Sequence, residues 1–386
     1  MAMLKICNGI VITDAKMLEN HAVYVQDSII VDITKENLPY DTLVDAKENY
    51  IIPGLIDIHT HGCGGKEYST SAVEDIITGT DYALQHGVTS LLPTLSANSI
   101  EAIEAALKRI REAQERSTAN ILGVHIEGPY FAPEMCGAQN TDYITAPIRK
   151  DYEALVEKFG NLIRLWSYAP ERDIGGEFCK FVSEHNIVAS AGHSAAKYSD
   201  MLVAIKNGLK SVTHLYSCTS TVIREKCFRK LGIIETAFLH KELYSEAIAD
   251  GKHLPPELLR MIYQIKGYEK LCLVTDSLFP AGTEETHFFS GGLECVIEDG
   301  VAKLSDRTAF AGSIATGDVL LKTALSAGIP IEHAVHMVTQ TPANLLGLSS
   351  KGRLSKGSDA DIVILSKDID VCLAIVNGKV VFQKEI

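Results

Sequence analysis

The 386-residue sequence contains no apolar run approaching the roughly 18 residues that a membrane-spanning helix needs. It also lacks an excess of positive charge. Its 36 Lys and Arg stand against 49 Asp and Glu, a formal net charge of −13. That balance argues against nonspecific nucleic-acid binding, and it requires any anionic substrate to be met by a local cluster of positive charge. The nine cysteines are odd in number, scattered and without a CxxC pair. This excludes a regular disulfide framework and favours free thiols, most of them small buried hydrophobes, in a reducing cytoplasm. The opening MAMLKICNGIVITD is interrupted early by Asp14 and polar turns, and it reads as a strand rather than a signal peptide. No GxGxxG follows the first strand of the central region, so a doubly wound nucleotide-binding sheet loses its usual signature. What remains, 46% hydrophobic and 22% charged residues, is the composition of a globular chain long enough for one large domain and a small one.

The most informative segment present is IDIHTHG at 56–62, behind the apolar run YIIPGLI. Side chains alternate across a strand, so Asp57, His59 and His61 share one face. Two imidazoles at the carboxyl end of a strand can hold one metal ion through ring nitrogens. Asp57, deeper on that face, is placed to accept the spare N–H of a ligand and orient it. The plainer alternative is a strand ending in two surface histidines.

The chain divides into three parts. Residues 1–52 and 350–386 carry short alternating segments separated by polar turns, and Asn377-Gly378 is a hairpin signal. These two ends are expected to pair into one small β-domain. Residues 53–349 instead alternate short apolar runs with stretches of helical period, such as SIEAIEAALKRIREAQ at 99–114. Eight candidate strands (LIDIHTHG, TSLLPTL, ILGVHIEGP, LIRLWSYAP, IVASAGHS, SVTHLY, LYSEAIADG and LCLVTDS) fit a parallel (β/α)8 barrel.

A barrel of this kind carries its chemistry at the carboxyl ends of its strands. His59 and His61 end the first, Glu127 the third, His193 the fifth, His214 the sixth and Asp276 the eighth. Any one of them alone would pass as a structural residue. A Glu after an apolar strand, however, is costly to bury unless paired or metal-bound, and the same placement recurs on five strands. His125, on the face of Glu127, is assigned a supporting or packing role.

The landmarks IIPGLIDIHTHG, GVTSLLPTL, GVHIEGPY, AGHS, THLY, IADGKH, LCLVTDS and QTPANLLGL…KGRLSKGSDADIVIL run through nearly the whole chain. With them the sequence resembles the amidohydrolase superfamily and, within it, the N-acetylglucosamine-6-phosphate deacetylases. The resemblance implies a TIM-like barrel with a small β-sandwich made from both termini. Many amidohydrolases carry a bridging lysine on the fourth strand. LIRLWSYAP has none, and Glu127 would fill that role.

By the same resemblance, Glu127, His193 and His214 are the primary metal ligands, and Asp276 is the general base and acid. His59 and His61 resemble a pair that only some members of the family carry, and there it can hold a second ion bridged through Glu127, so one or two divalent ions per chain are expected. Zinc suits such a donor set, with iron, manganese or cobalt as alternatives. The sugar phosphate would be met by His253 of ADGKH and by an arginine. The nearest is Arg224, in the basic run IREKCFRK at 223–230, whose other reading is a solvated helix face. Ala138, Gln139, Ser217, Cys218, Phe310, Ala311 and Gly312 are further contacts by alignment. Ser217-Cys218 replaces the family's Asn-Ala, and Gln139 stands where a His is common. The expected activity is hydrolysis of the acetamide of N-acetylglucosamine 6-phosphate in cytoplasmic amino-sugar catabolism, by a homodimer. The alternatives are an amidohydrolase of another N-acylated sugar, an N-acyl amino acid or a cyclic amide, and a noncatalytic scaffold.

Overall fold

A computed structural model describes residues 2–384; Met1, Glu385 and Ile386, at the outer ends of the two terminal segments, lie outside the described residues. Eight parallel strands form the central barrel: β1 (Leu55–Thr60), β2 (Val88–Leu95), β3 (Val124–Glu127), β4 (Ile163–Tyr168), β5 (Val188–Ala191), β6 (Ser211–Val212), β7 (Tyr244–Ile248) and β8 (Leu271–Val274). Each expected strand is present, and neighbours in the chain pair in parallel from β1 through β8. The first and last strands meet just above their ends. The Asp276 N–H donates to the His59 carbonyl at 2.9 Å, and the His61 N–H to that of Ser277 at 2.8 Å. Pro93 has no N–H to give a sheet, and a register irregularity between Leu91 and Pro93 accommodates it in β2.

Helices return the chain between most strands: α1 (Val73–Tyr82), α2 (Ile100–Gln114), α3 (Arg149–Phe159), α4 (Glu177–Glu184), α5 (Tyr198–Lys206), α6 (Ile233–Leu239), α7 (Pro256–Lys266) and, after β8, α8 (Gly317–Ser326). The second shows how sequence makes such an element. The Ser99 hydroxyl caps it by accepting the Ala102 N–H, and Ile103, Ala106, Leu107, Ile110 and Ala113 form the buried stripe. Each large apolar side chain buried this way contributes about 1.5–3 kcal/mol.

The terminal segments build two further sheets. Strands at Ile29–Thr34, Ala22–Gln26, Met3–Cys7 and Thr42–Asp45 form a four-stranded sheet. A six-stranded sheet joins the two chain ends, with Ile362 opposite Pro53 and Ile364 opposite Ile51. Asn377 and Gly378, both at positive φ, make the two-residue turn between Val376 and Lys379. Ile6, Val11, Val23, Ile51, Ile362 and Ile375 share the core between these sheets.

Two connections depart from the sequence reading. The basic run at 223–230 is an exposed hairpin, Ile223–Glu225 against Phe228–Lys230, and not a helix face. Its length and its central Lys226 and Cys227, both at positive φ, close a tight turn that a helix would forbid. Between β8 and α8 the chain adds an antiparallel sheet of four strands, from His287–Ser290 to Phe310–Gly312, that stands beside the barrel mouth.

Asp318, in the first turn of α8, ties that helix to the segment entering β2. Its carboxylate meets His86 Nδ1 at 3.0 Å, the Thr316 hydroxyl at 2.7 Å and Lys322 Nζ at 3.2 Å. Burial works against its ionisation, but these partners outweigh it and hold the pKa down to about 2. A folded-state pKa below the unfolded value contributes stability that is present above the unfolded pKa and lost as pH falls toward the folded one. Asp318→Asn is therefore expected to cost on the order of 2 kcal/mol near neutral pH. The gap in thermal midpoint between wild type and variant should shrink as pH falls from about 4 toward 2. A gap independent of pH would contradict the assignment.

Candidate metal centre

Glu127 is the final residue of β3, while His193, His214 and Asp276 each lie two residues beyond the end of their strands. These last three adopt positive φ, at 46°, 24° and 46°. For non-glycine residues this backbone is uncommon and costs about 1–3 kcal/mol. Three such turns in equivalent places bring side chains from separate strands over the barrel mouth.

The donor atoms converge. His193 Nε2 and His214 Nε2 lie 3.1 and 3.0 Å from Glu127 Oε1, and 3.1 Å from each other. His59 Nε2 is 3.4 Å from both Glu127 Oε1 and Asp276 Oδ1. His61 Nε2 is 3.4 Å from Glu127 Oε2 and 3.3 Å from Asp276 Oδ1. Two compact, buried sets result, Glu127–His193–His214 and His59–His61–Asp276, each with its ligand atoms within 4.8 Å of one another. Glu127 touches both sets, Oε1 facing His59, His193 and His214 and Oε2 facing His61.

The chemistry of these donors fits a cation. His193 Nδ1 is held by the Met135 carbonyl at 3.0 Å and His59 Nδ1 by Glu246 Oε2 at 2.9 Å. Carbonyl and carboxylate accept only, so each Nδ1 carries a proton and Nε2 is the nitrogen left to face the carboxylate oxygens. That contact needs positive charge between the two, a proton on Nε2 in the metal-free protein or a cation that takes its place. His59 Nε2 is buried with no hydrogen-bond partner. Ionisation tells the same story. Burial opposes the imidazolium of His61, yet Asp276 and Glu127 carry its pKa up to about 9. His59 is likewise raised against burial by Asp276 and Glu127. Burial also opposes the charge on Glu127, but the surrounding imidazoles hold it well below the usual carboxylate range.

The supporting groups differ in part from expectation. Asp57 does not hold a histidine ring. It accepts the Thr275 hydroxyl at 2.5 Å and the His59 backbone N–H at 3.3 Å, and burial pushes its pKa up to about 6. The acceptor behind His59 is Glu246 of β7, 187 residues away, which no sequence motif marks. His125 packs edge-on against His59, ring centroids 4.5 Å apart, and pairs with the Ser167 hydroxyl at 2.8 Å.

Above the donors opens a cleft of about 310 Å3. Glu127, His61, His193, His214 and Asp276 lie in its floor, and Ala138, Gln139, Ser217, Cys218 and His253 line it. The added sheet contributes Phe310, Ala311 and Gly312. Sequence reasoning missed Ser96, Asn140 and Tyr216, which also line it; each adjoins or lies close to a named landmark, but none is a residue type that stands out. Gln139 donates to Glu127 Oε2 at 2.6 Å and accepts the Ala97 N–H at 2.9 Å. Its loop passes close over the histidines: a Cβ at Gly137, where φ is +58°, would lie 2.6 Å from Cys218 Sγ. Asp250 holds His253 Nδ1 at 2.7 Å, and the His253 ring meets Phe310 edge-on. Arg224 is not among the lining residues; it sits on the exposed hairpin. Among the described residues lining the cleft, none is Lys or Arg.

Residues 50–381 match the Amidohydrolase family, and the chain belongs to it. Among relatives, it is 29% identical over 381 residues to the N-acetylglucosamine-6-phosphate deacetylase of Bacillus subtilis (strain 168), covering 96% of this chain and 95% of that one. It is 28% identical over 386 residues to the N-acetylgalactosamine-6-phosphate deacetylase of Shewanella sp. (strain ANA-3), covering 97% and 95%. The crystal structure of N-acetylglucosamine-6-phosphate deacetylase from Pasteurella multocida superposes with a TM-score of 0.92 at 27% identity, over 98% of this chain and 99% of that one.

Proposed function

We propose that this protein is a metal-dependent deacetylase of N-acetylglucosamine 6-phosphate, releasing acetate and glucosamine 6-phosphate. The observation that carries the reading is the convergence of four imidazoles with the carboxylates of Glu127 and Asp276 beneath the cleft of an amidohydrolase barrel. Relatives that match nearly end to end are N-acetylhexosamine-6-phosphate deacetylases. Glu127, His193 and His214 would hold one divalent ion, and His59, His61 and Asp276 a second, with zinc the best match to the donors and iron, manganese or cobalt as alternatives. Such an ion supplies Lewis acidity and makes water a competent nucleophile near neutral pH. Asp276, reaching the cleft floor, takes the proton of the attacking water and returns it to the departing amine, which cannot leave as a bare anion. Gln139 keeps the second oxygen of Glu127 in place.

A phosphate must find positive charge, and among the described residues the cleft of a single chain offers none from Lys or Arg. The reading therefore takes the protein as a homodimer in which Arg224 reaches the phosphate of the neighbouring subunit's substrate. The exposed hairpin supports it, carrying Arg224 opposite Arg229 and, one pair nearer the turn, Phe228, which is 72% exposed. Arg224→Ala is expected to raise KM for the phosphorylated sugar about 10–100-fold, as loss of a charged hydrogen bond would, with little change for the unphosphorylated one. Equal effects on both would reject the assignment. The nine free cysteines accord with a cytoplasmic setting.

The deciding assay uses metal-loaded enzyme. Rates on N-acetylglucosamine 6-phosphate are compared with those on N-acetylglucosamine, N-acetylgalactosamine 6-phosphate and N-acyl amino acids. Phosphate dependence with preference for the gluco sugar is expected. Equal rates with and without phosphate would defeat the reading, and preference for the galacto sugar would move it to the second group of relatives.

A further inference from the structure

Glu246 is a fully buried carboxylate in the middle of β7, outside every motif of the site. Burying such a group is costly unless its charge is answered. Its Oε2 accepts from His59 Nδ1 at 2.9 Å and, at 3.4 Å, from the backbone N–H of His214. Its Oε1 has no hydrogen-bond partner. We propose that Glu246 is a positioning residue that builds the His59–His61–Asp276 position, by fixing His59 in the tautomer and orientation that aims its Nε2 lone pair at a divalent ion. This rests on the reading that the site binds such ions.

The four imidazoles are not supported alike. His193 Nδ1 rests on a neutral carbonyl, that of Met135, and His61 Nδ1 on the Ser96 hydroxyl at 3.1 Å. His214 Nδ1 has no partner. His59 alone has a carboxylate behind its ring, which raises the basicity of the opposite nitrogen as well as orienting it. The negative charge also answers the excess positive charge that a second ion brings beside the first. The influence of Glu246 should therefore fall on the His59 position and largely spare the Glu127–His193–His214 position, which it touches only through the longer main-chain contact to His214, away from that ring.

The test is direct titration of metal-free protein with Zn2+, followed by calorimetry and elemental analysis, for wild type, Glu246→Ala and the isosteric Glu246→Gln. Wild type should take up two ions per chain. Glu246→Ala should keep one at wild-type affinity and bind the other about 10–100-fold more weakly, the usual effect of losing such an outer partner. Glu246→Gln, whose amide oxygen still accepts from Nδ1–H, should recover part of that loss. Two ions bound by Glu246→Ala at wild-type affinity would overturn the proposal, as would uptake of a single ion by wild type. Equal weakening of both ions in both variants would also overturn it, by making Glu246 a general support. Each of these outcomes leaves the deacetylase reading standing, whereas a wild-type protein that takes up no ion at all removes both.

Discussion

Asp276→Asn is expected to lower kcat on N-acetylglucosamine 6-phosphate by about 10²–10⁴, the range that general acid–base catalysis contributes, while the folded protein still acquires its primary ion. The backbone clamps this residue on both sides: its N–H donates to the His59 carbonyl and its own carbonyl accepts the Ser313 N–H, each at 2.9 Å. The side chain is therefore delivered to the cleft floor by main-chain geometry that an amide preserves. Burial raises the pKa of Asp276, but His59 and His61 outweigh it and bring it below the ordinary value, so the group is ionised and able to accept a proton at neutral pH. Asparagine has the shape but cannot take that proton. Steady-state kinetics with elemental analysis of the same preparation decides the matter. Ordinary turnover in the variant would end the proton-transfer assignment, and loss of all bound metal would make Asp276 a ligand first.

Glu127→Ala should be more severe, because it strikes both positions at once. One oxygen of Glu127 meets His193 and His214, and the other faces His61. Without it four imidazoles surround a gap with only Asp276 and the distant face of Glu246 to balance a cation. Loss of a ligand common to both ions should weaken binding by at least about 100-fold, the upper end of what losing an outer partner does, and turnover should fall to background. A second readout is thermal. Saturating metal stabilises a folded site by about 4 kcal/mol at 1,000 times Kd, so wild type should melt higher with Zn2+ and Glu127→Ala should not. A variant with wild-type ion content would refute the bridging role.

Local pattern carried much of this site. His59, Glu127, His193, His214 and Asp276 each follow an apolar run and precede a turn, and in a parallel barrel such positions come together regardless of the distance between them in the chain. Asn377-Gly378 before the last strand was legible for the same reason: turn chemistry acts over a few residues. The basic run at 223–230 was not legible. Alternating charge and apolar residues over eight positions suit a helix face or a hairpin, and only the positive φ of Lys226 and Cys227 selects the hairpin. Asp57 shows the opposite failure. It shares a strand face with His59 as alternation requires, yet its carboxylate turns to Thr275, a residue 218 positions away that supplies a hydroxyl at 2.5 Å.

The sequence alone determined the barrel, the small sheets at both chain ends, and the kinds of donor atom that crown the strands, because strand alternation, helical period and turn residues are short-range properties. Tertiary structure alone decided the partners of those donors. It placed Glu246 behind His59, set one oxygen of Glu127 against His59, His193 and His214 and the other against His61, and left Arg224 outside the cleft of its own chain. Hydrogen bonds of this kind depend on ångström-scale separations between residues hundreds of positions apart, and a one-dimensional pattern holds no record of those distances.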